Sequence, residues 1–512
     1  MSKILVYIGS HDNNSICDAI ERLEAGDEVL VIRCDRSTGI CRHNMYGAQW
    51  QCRYCEYVNN KLWRNRMLKL GATIKGLNDI ITKEDRAAAS NYVFEYNDVD
   101  ELKAVKYKDV EVGYGAFSTY VTLSRNVMPD FTPEFKNYID FIIRKEIAVV
   151  EAIDREIIQF KPDWIYFHNG RFAEFKPILG LTQKYNIPFV STEEIYREGR
   201  MLKDDFVNDV VHSVQLNYQK ILDDWELGKE SEEDKIAIAK KYFEDRANRK
   251  ETGGTVYTGH QEVGKLPEGF DESKEIITIF NSSEDEFCSV SSEFDNNMLF
   301  KNQFTALKTI FEHYKGDHTK HFYLRIHPNL RYVPYRAHTM LYDLHYDNVT
   351  IIPADSPIDS YVLLFHSDKI ITFNSLMSLE GAYWGKPVIT LIHHMWTLLG
   401  IVYSPNNIEE IWPLIDRKDL PPLRNDNIYK FPYRRVHSNA PEENKIRFKK
   451  VDFHLFGKHF FCEYSFYTFL RSYKLNIFIK KMGNSPYIRR PFKWAYKFAK
   501  LPCTVNKYYS SK

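Results

Sequence analysis

The sequence predicts an α/β protein built from two doubly wound parallel-sheet domains that face each other across a cleft. Three observations carry this reading. The chain is 512 residues long, more than one hydrophobic core usually organises. In both halves, short apolar and β-branched runs alternate with stretches of helical spacing, the alternation that β-α-β units require. Between the halves, residues 251–271 hold Gly253, Gly254, Gly259, Gly264, Pro267 and Gly269, which is linker composition. With 44% hydrophobic and 27% charged residues, Gly 23 and Pro 20, the chain is an ordinary globular mixture. That excludes collagen-like, low-complexity and broadly disordered classes.

The first half opens on KILVYIG (3–9), an apolar run that reads as a buried strand. A loop rich in cap-forming residues (10–15), a helical stretch (16–23) and a second strand, EVLVI (28–32), complete one β-α-β unit. No glycine-rich phosphate signature follows Gly9, which argues against a dinucleotide in this half. Residues 60–160 are mixed and end in a strong helical stretch, 135–160, stopped before Lys161-Pro162. DWIYFHNGR (163–171) is a strand running into a turn, followed by a helix to 185 and a short strand at 187–190; 226–250 is charged and helical.

The second half is more regular. IITIF (276–280), FYLRI (322–326), VTIIP (349–353), KIITF (369–373) and PVITL (387–391) alternate with helical stretches at 302–314, 337–344, 358–365 and 376–384. Five strands with four crossovers describe a Rossmann-like domain, in which ligands bind beyond the carboxyl ends of the strands. The expected boundaries are 1–265 for the first Rossmann-like domain, 266–410 for the second, and 411–512 for a linker and C-terminal extension.

The formal net charge is +0, but it is unevenly spread. From 431 to 512 there are 18 Lys and Arg against 4 Asp and Glu, net +14, which leaves −14 for the rest. That extension also carries 20 aromatic residues, interleaved with the basic ones. Rings at headgroup depth and cations facing anionic lipid suit a membrane surface. Packing against the first domain and single-stranded nucleic acid are the weaker readings, and no nucleic acid is expected as a partner. No apolar run approaches the roughly 18 residues that cross a bilayer, and MSKILVYIGS holds no signal-peptide core. The expected location is the cytoplasm, peripheral on the inner face of the membrane. Eight cysteines then read as reduced thiols. Cys34, Cys41, Cys52 and Cys55 lie close together, and the C-x-x-C spacing of the last two admits a structural zinc clip.

Three polar clusters stand at strand ends of the second domain. The first is Asn281-Ser282-Ser283-Glu284, directly after the first strand of this domain. The second is Arg325-Ile326-His327-Pro328, where the proline stops the ladder and directs His327 into the crevice. The third is FNSLMSLEG (373–381), in which Ser375, Ser378 and the start of a helix offer donors to an anion, with Glu380 one turn further on placed to reach a sugar hydroxyl. An imidazole, an arginine and a helix start at one crevice suit a phosphate leaving group, whose charge can be met by oriented donors or a cationic histidine.

IHP at 326–328 followed by SLMSLEGAYWGKPVI at 375–389 resembles the C-terminal domain of bacterial surface-polysaccharide glycosyltransferases of the GT-B fold, a group with capsule synthesis enzymes, Kdo transferases and sialyltransferases bearing a His-Pro motif. FHNGR (167–171), PFVSTEE (188–194) and VHS (211–213) are similar to the Asn-Gly-Arg, acidic and His-bearing segments of capsule biosynthesis glycosyltransferases. The resemblance spans 160–395. It implies that His327 stabilises the departing phosphate and that Ser375 and Ser378 bind phosphate oxygens. Glu380 would hold the ribose, and Glu193 or Glu194 would be the base for the acceptor hydroxyl. Asn169 and Arg171, with His212, would line the cleft from the other side. The acidic-acidic-Gly triplet of the sialyltransferases is missing, which argues against a CMP-sialic acid donor.

The expectation is therefore a metal-independent, inverting glycosyltransferase with no required cofactor. Its donor is a nucleotide sugar and its acceptor a growing, lipid-linked capsular or surface polysaccharide. The rival readings are a nucleotide-sugar 2-epimerase or a polyol-phosphate transferase on the same architecture, and a non-catalytic adaptor docked on the membrane.

Overall fold

The computed structural model describes residues 1–9, 12–45, 63–197, 200–250 and 257–436, with single positions and short pieces at 47, 52, 55–56, 252, 452–455 and 458–462. The first sheet contains β1 (Lys3–Ile8), β2 (Glu28–Arg33), β3 (Thr73–Gly76), β4 (Trp164–His168), β5 (Phe189–Arg197) and β6 (Arg200–Val207), in the order β3-β2-β1-β4-β5-β6. The pairs β2–β3, β1–β2, β1–β4 and β4–β5 are parallel. The second sheet contains β7 (Glu275–Phe280), β8 (Lys320–Arg325), β9 (Val349–Ile352), β10 (Lys369–Thr372) and β11 (Val388–Thr390), all parallel, in the order β11-β10-β7-β8-β9. The α/β reading with two parallel sheets is what the chain adopts.

These runs are strands because both faces of each sheet are covered. Ile4–Ile8 and Ile276–Phe280 are buried at every position, the signature of a parallel sheet between helix layers rather than a half-solvated one. The helix Asn13–Glu24 crosses from β1 to β2, and Asp12 caps it by accepting from Ser15 N at 3.0 Å. The long helix Pro133–Phe160 begins with Thr132 as N-cap and Pro133 in the first turn, and stops at Lys161 in a left-handed conformation. Its inward face, with Ile139, Ile143, Ile147 and Ile153, belongs to the first core, together with Leu5, Leu30 and Ile165.

The helix Val112–Ser124 lies on Pro133–Phe160 and contains Gly113 and Gly115. A Cβ on Gly113 would stand 1.9 Å from Leu102 O, and one on Gly115 would stand 2.4 Å from Glu146 Oε2. Glycine is unfavourable inside a helix, so close approach is the reason for it here. Gly113→Ala is expected to cost at least about 3 kcal/mol, the upper end of overpacking, because the obstacle is backbone; a urea unfolding midpoint within error of the wild type contradicts it.

The helices Val214–Leu227 and Glu232–Ala247 precede the Gly-rich linker, yet Ile221, Tyr242 and Phe243 share a core with Phe280, Ile370, Leu379 and Val388 of the second sheet. The chain therefore joins the second sheet's packing well before the boundary expected at 265. Met1–Glu198 and Lys203–Ala440 form one compact unit that contains both cores. Beyond that unit, β12 (Asp452–Leu455) and β13 (Lys458–Cys462) pair antiparallel. Most of the basic aromatic extension lies outside the described residues. Among the described residues no helix is long and apolar enough to cross a membrane.

Candidate active site

In an open parallel sheet, the crevice opens where neighbouring strands send their helices to opposite faces. The strand orders place that point between β1 and β4 in the first sheet and between β7 and β10 in the second. The motifs singled out in the sequence fall on these ends: Asn169 to Arg171 follows β4, Asn281 to Ser283 follows β7, His327 follows β8 and Ser375 follows β10.

The two carboxyl ends meet. Asn169 and Gly170 both take positive φ, 58° and 90°, and this turn sends Arg171 across the seam. Its Nη1 donates to Glu286 O at 2.5 Å, and its Nη2 donates to Thr122 Oγ1 at 2.8 Å and Asp285 O at 3.4 Å. Nearby, Lys103 Nζ pairs with Asp295 Oδ2 at 2.6 Å, Tyr114 Oη donates to the same oxygen at 3.0 Å, and Lys176 Nζ donates to Val290 O at 3.2 Å. Residues 283–295, the loop after β7, are thus bound along one side by the first domain.

Around His327 the geometry is specific. Its backbone N–H donates to Asn281 Oδ1 at 2.6 Å, and its Nδ1 accepts from Asn329 N at 3.0 Å, as the cap of the short 3₁₀ turn Pro328–Leu330. Burial, then Arg125 and Arg325, push its pKa down to about 4, so the ring is neutral near pH 7. With Nδ1 accepting, the proton sits on Nε2, which makes His327 a fixed neutral donor. A resident cationic histidine is therefore not what the fold supplies. The ring packs edge-on against Tyr257 with centroids 5.1 Å apart.

Three expected donor-binding groups are turned inward. Arg325 is 2% exposed, and its guanidinium donates to Pro353 O, to Ser356 O at 3.2 Å and to Ser360 Oγ at 3.3 Å. It ties the β8 end to the loop after β9 rather than facing a ligand. The Ser378 hydroxyl is fully buried against Thr372 Oγ1 at 2.8 Å. Glu380, expected on a ribose, is 1% exposed and bonded to Arg246 Nε at 2.8 Å and to Tyr361 Oη. Charge burial explains this correction, since a carboxylate inside a core needs a cationic partner. Ser375 Oγ accepts from Met377 N at 3.2 Å, at the start of the helix Met377–Tyr383. Ser283 Oγ donates to Asp285 Oδ1 at 2.6 Å and accepts from Arg125 Nη2 at 2.6 Å. Ser282 N donates to Gln303 Oε1 at 2.8 Å, and among the described residues its buried hydroxyl has no partner.

On the first-domain side, Asn169 Nδ2 donates to Glu193 Oε2 at 2.5 Å, and Glu193 Oε1 lies 3.8 Å from His168 Nε2. His168 is 2% exposed, and burial and Arg42 hold it well below the usual histidine range. Arg42 can only donate, so His168 Nε2 accepts from it. His212 is pushed down to about 3 by burial, Arg171 and Lys176, and its buried Nε2 has no partner among the described residues. Asn169, Arg171, Glu193 and His212 are therefore gathered at one strand-end cluster. Glu194 is on β5, with its side chain outside the described residues.

Of the four clustered cysteines, Cys34 Sγ lies 3.2 Å from Thr38 Oγ1, and Cys52 Sγ accepts from Asn44 Nδ2 at 3.1 Å. Burial pushes the Cys34 thiol up to about 11. Among the described residues no group of three or more His, Cys, Asp or Glu is placed to hold a metal ion, so the zinc clip on Cys34, Cys41, Cys52 and Cys55 is not assembled there.

Sequence reasoning missed Arg125, Asp285 and His168. Arg125 stood in a stretch read only as mixed, and nothing local marks it. A small crevice of ≈ 10 Å³ beside the β7 and β10 ends, lined by Glu284, Gln303, Phe287, Phe300, Phe373 and Ile392 among others, was also not foreseen. Burial pushes Glu284 up to about 7.

No known protein-family model matches the sequence, and no curated protein matches it. Among solved structures the chain is similar to the β-Kdo 2,4 transferase KpsC of Thermosulfurimonas dismutans, at 14% identity over 61% of this chain and 88% of that one, with a TM-score of 0.33. It is also similar to a UDP-GlcNAc 2-epimerase from Neisseria meningitidis, at 14% identity over 84% and 97%, TM-score 0.27. The calicheamicin glycosyltransferase CalG4 is 12% identical over 85% and 93%, TM-score 0.24. Similarity at this level assigns no residue a role.

Proposed function

We propose that this chain is a glycosyltransferase that moves a sugar from a nucleotide-activated donor to a glycan acceptor of a capsular or surface polysaccharide. The observation that carries the reading is the meeting of two sheet ends. Arg171, beyond β4, is bonded to the Asp285–Glu286 backbone beyond β7, beside the turn that holds His327. A seam with a polar cluster on each side provides for two substrates, one on each sheet.

In this reading Glu193, oriented by Asn169, takes the proton of the acceptor hydroxyl. The acceptor oxygen bonds to the anomeric carbon with inversion as the carbon–oxygen bond to the donor phosphate breaks. The electron pair goes to the phosphate oxygen, whose charge is met by the Nε2–H of His327 and by the Ser375 turn. Glu194 is the alternative base. No metal or redox cofactor is required. The acceptor is lipid-linked, and the basic aromatic extension keeps the chain at an anionic membrane surface.

A thermal-shift screen with CMP, UDP, GDP and CDP, followed by incubation of sugar nucleotides with and without glycan acceptor, tests this. One nucleotide is expected to raise the melting temperature, since a ligand at roughly 100-fold its Kd stabilises by about 2.7 kcal/mol. Sugar transfer is expected only when acceptor is present. Failure of all four nucleotides at millimolar concentration overturns the reading, and conversion of the sugar nucleotide without acceptor replaces it with the epimerase.

A further inference from the structure

Arg125 caps the helix Val112–Ser124 in a left-handed conformation, φ 64°, with its N–H donating to Val121 O at 2.6 Å. Helix stops of this kind favour Gly or Asn, because a Cβ at positive φ is strained. Here the position is an arginine, and its side chain reaches the second domain. Nη1 donates to Asn329 O at 2.8 Å and Oδ1 at 3.4 Å; Nη2 donates to Ser283 Oγ at 2.6 Å and Asp285 Oδ1 at 3.3 Å; Nε donates to Asp285 Oδ2 at 3.2 Å. One guanidinium thus spans the turn after β7 and the turn after β8. Its fixed fork is what makes two simultaneous attachments possible, and a lysine ammonium cannot reproduce it. The Arg125 carbonyl lies 3.2 Å from His338 Nε2, a further link to the same domain.

Asn329 is the residue whose N–H fixes His327 Nδ1. The groups that face the His327 ring are Arg125, Arg325, Asp285 and the Tyr257 ring. Arg325 belongs to the second domain, and its donors are engaged on Pro353, Ser356 and Ser360.

We propose that Arg125 is a positioning residue for His327: an arginine supplied by the first domain that clamps the His327–Asn329 turn against Ser283 and Asp285, so that the leaving-group donor is set only when the two domains are docked. The proposal rests on the reading of His327 given above.

The test uses the full chain with Arg125→Lys and Arg125→Met, both of which keep a Cβ at the left-handed position and add no backbone strain. Hydrogen exchange, read by mass spectrometry on the peptide carrying 326–332, is expected to speed up about tenfold or more in both variants as the turn is released, with melting temperature as the folding control. Turnover is expected to fall about tenfold or more in both, with KM for the donor little changed, because one charge-assisted attachment is lost. In Arg125→Met alone, the His327 ring is also expected to titrate about one unit or more higher, since a neighbouring cation has gone. Unchanged exchange in 326–332 overturns the proposal, as does faster exchange with wild-type turnover, or full rescue of turnover by lysine. The exchange measurement needs no substrate. If the wild-type chain transfers no sugar, the functional reading fails while this arm still decides whether Arg125 holds the turn.

Discussion

His327→Ala is expected to lower turnover by about 10²-fold or more, the usual scale for removing one preorganised donor from a developing negative charge. The size follows from how the ring is held. Its backbone is pinned by Asn281, its Nδ1 is occupied by Asn329 N–H, and burial keeps it neutral with a pKa of about 4. The one remaining ring donor, Nε2–H, needs no reorganisation to meet an anion. The side chain also caps the turn Pro328–Leu330, so the variant loses about 1 kcal/mol of stability as well, too little to unfold a chain of this size. Saturating-donor kinetics beside a thermal melt check both parts, and near-normal turnover in a folded variant refutes the role. A neutral donor also predicts that turnover carries no loss of activity centred on the ordinary histidine pKa of about 6.5 from this ring.

Arg246→Ala is expected to destabilise the chain by about 3–5 kcal/mol, because it strands a buried carboxylate. Glu380 is 1% exposed and takes Arg246 Nε at 2.8 Å, with Tyr361 Oη as its second partner. The pair joins the helix Glu232–Ala247 to the helix Met377–Tyr383, beside Phe243 stacked on Tyr383 at 3.9 Å. Burial works against the Arg246 charge, but the Glu380 carboxylate beside it more than offsets this and holds the guanidinium well above its ordinary pKa. The companion variant, Glu380→Gln, is expected to shift the urea midpoint downward while leaving nucleotide affinity unchanged. A large loss of nucleotide affinity in that variant, at unchanged stability, would return Glu380 to the ribose.

Several elements were legible because their signals are local. β1, β2 and all five strands of the second sheet show as short β-branched runs, since a strand buried on both faces must be apolar throughout. Pro133–Phe160 showed through its helical period and its Lys161-Pro162 stop. β3, with the sequence TIKG, and β6, with RMLKDDFV, were missed because neither is an apolar run. The helix Val112–Ser124 lies in a stretch read only as mixed, and its two glycines make room for Leu102 O and the Glu146 carboxyl, contacts that no neighbour in the sequence reveals. The candidate site shows the same division. His327 was placed by its own Pro328, and Asn169 by its own Gly170.

The sequence by itself determined that the chain alternates strands and helices into two parallel sheets, and that polar residues stand at the strand ends where a crevice opens. Periodicity and turn chemistry are properties of neighbours in the chain, so they can be read without a fold. Only the tertiary structure decided which of those polar groups face the seam. Glu380 is held by a residue 134 positions away and Arg325 by carbonyls of the following strand's loop, while Arg125 reaches Asn329 over 204 positions. A buried charge goes where its partner is, and that partner is fixed by packing across the chain rather than by the residues beside it.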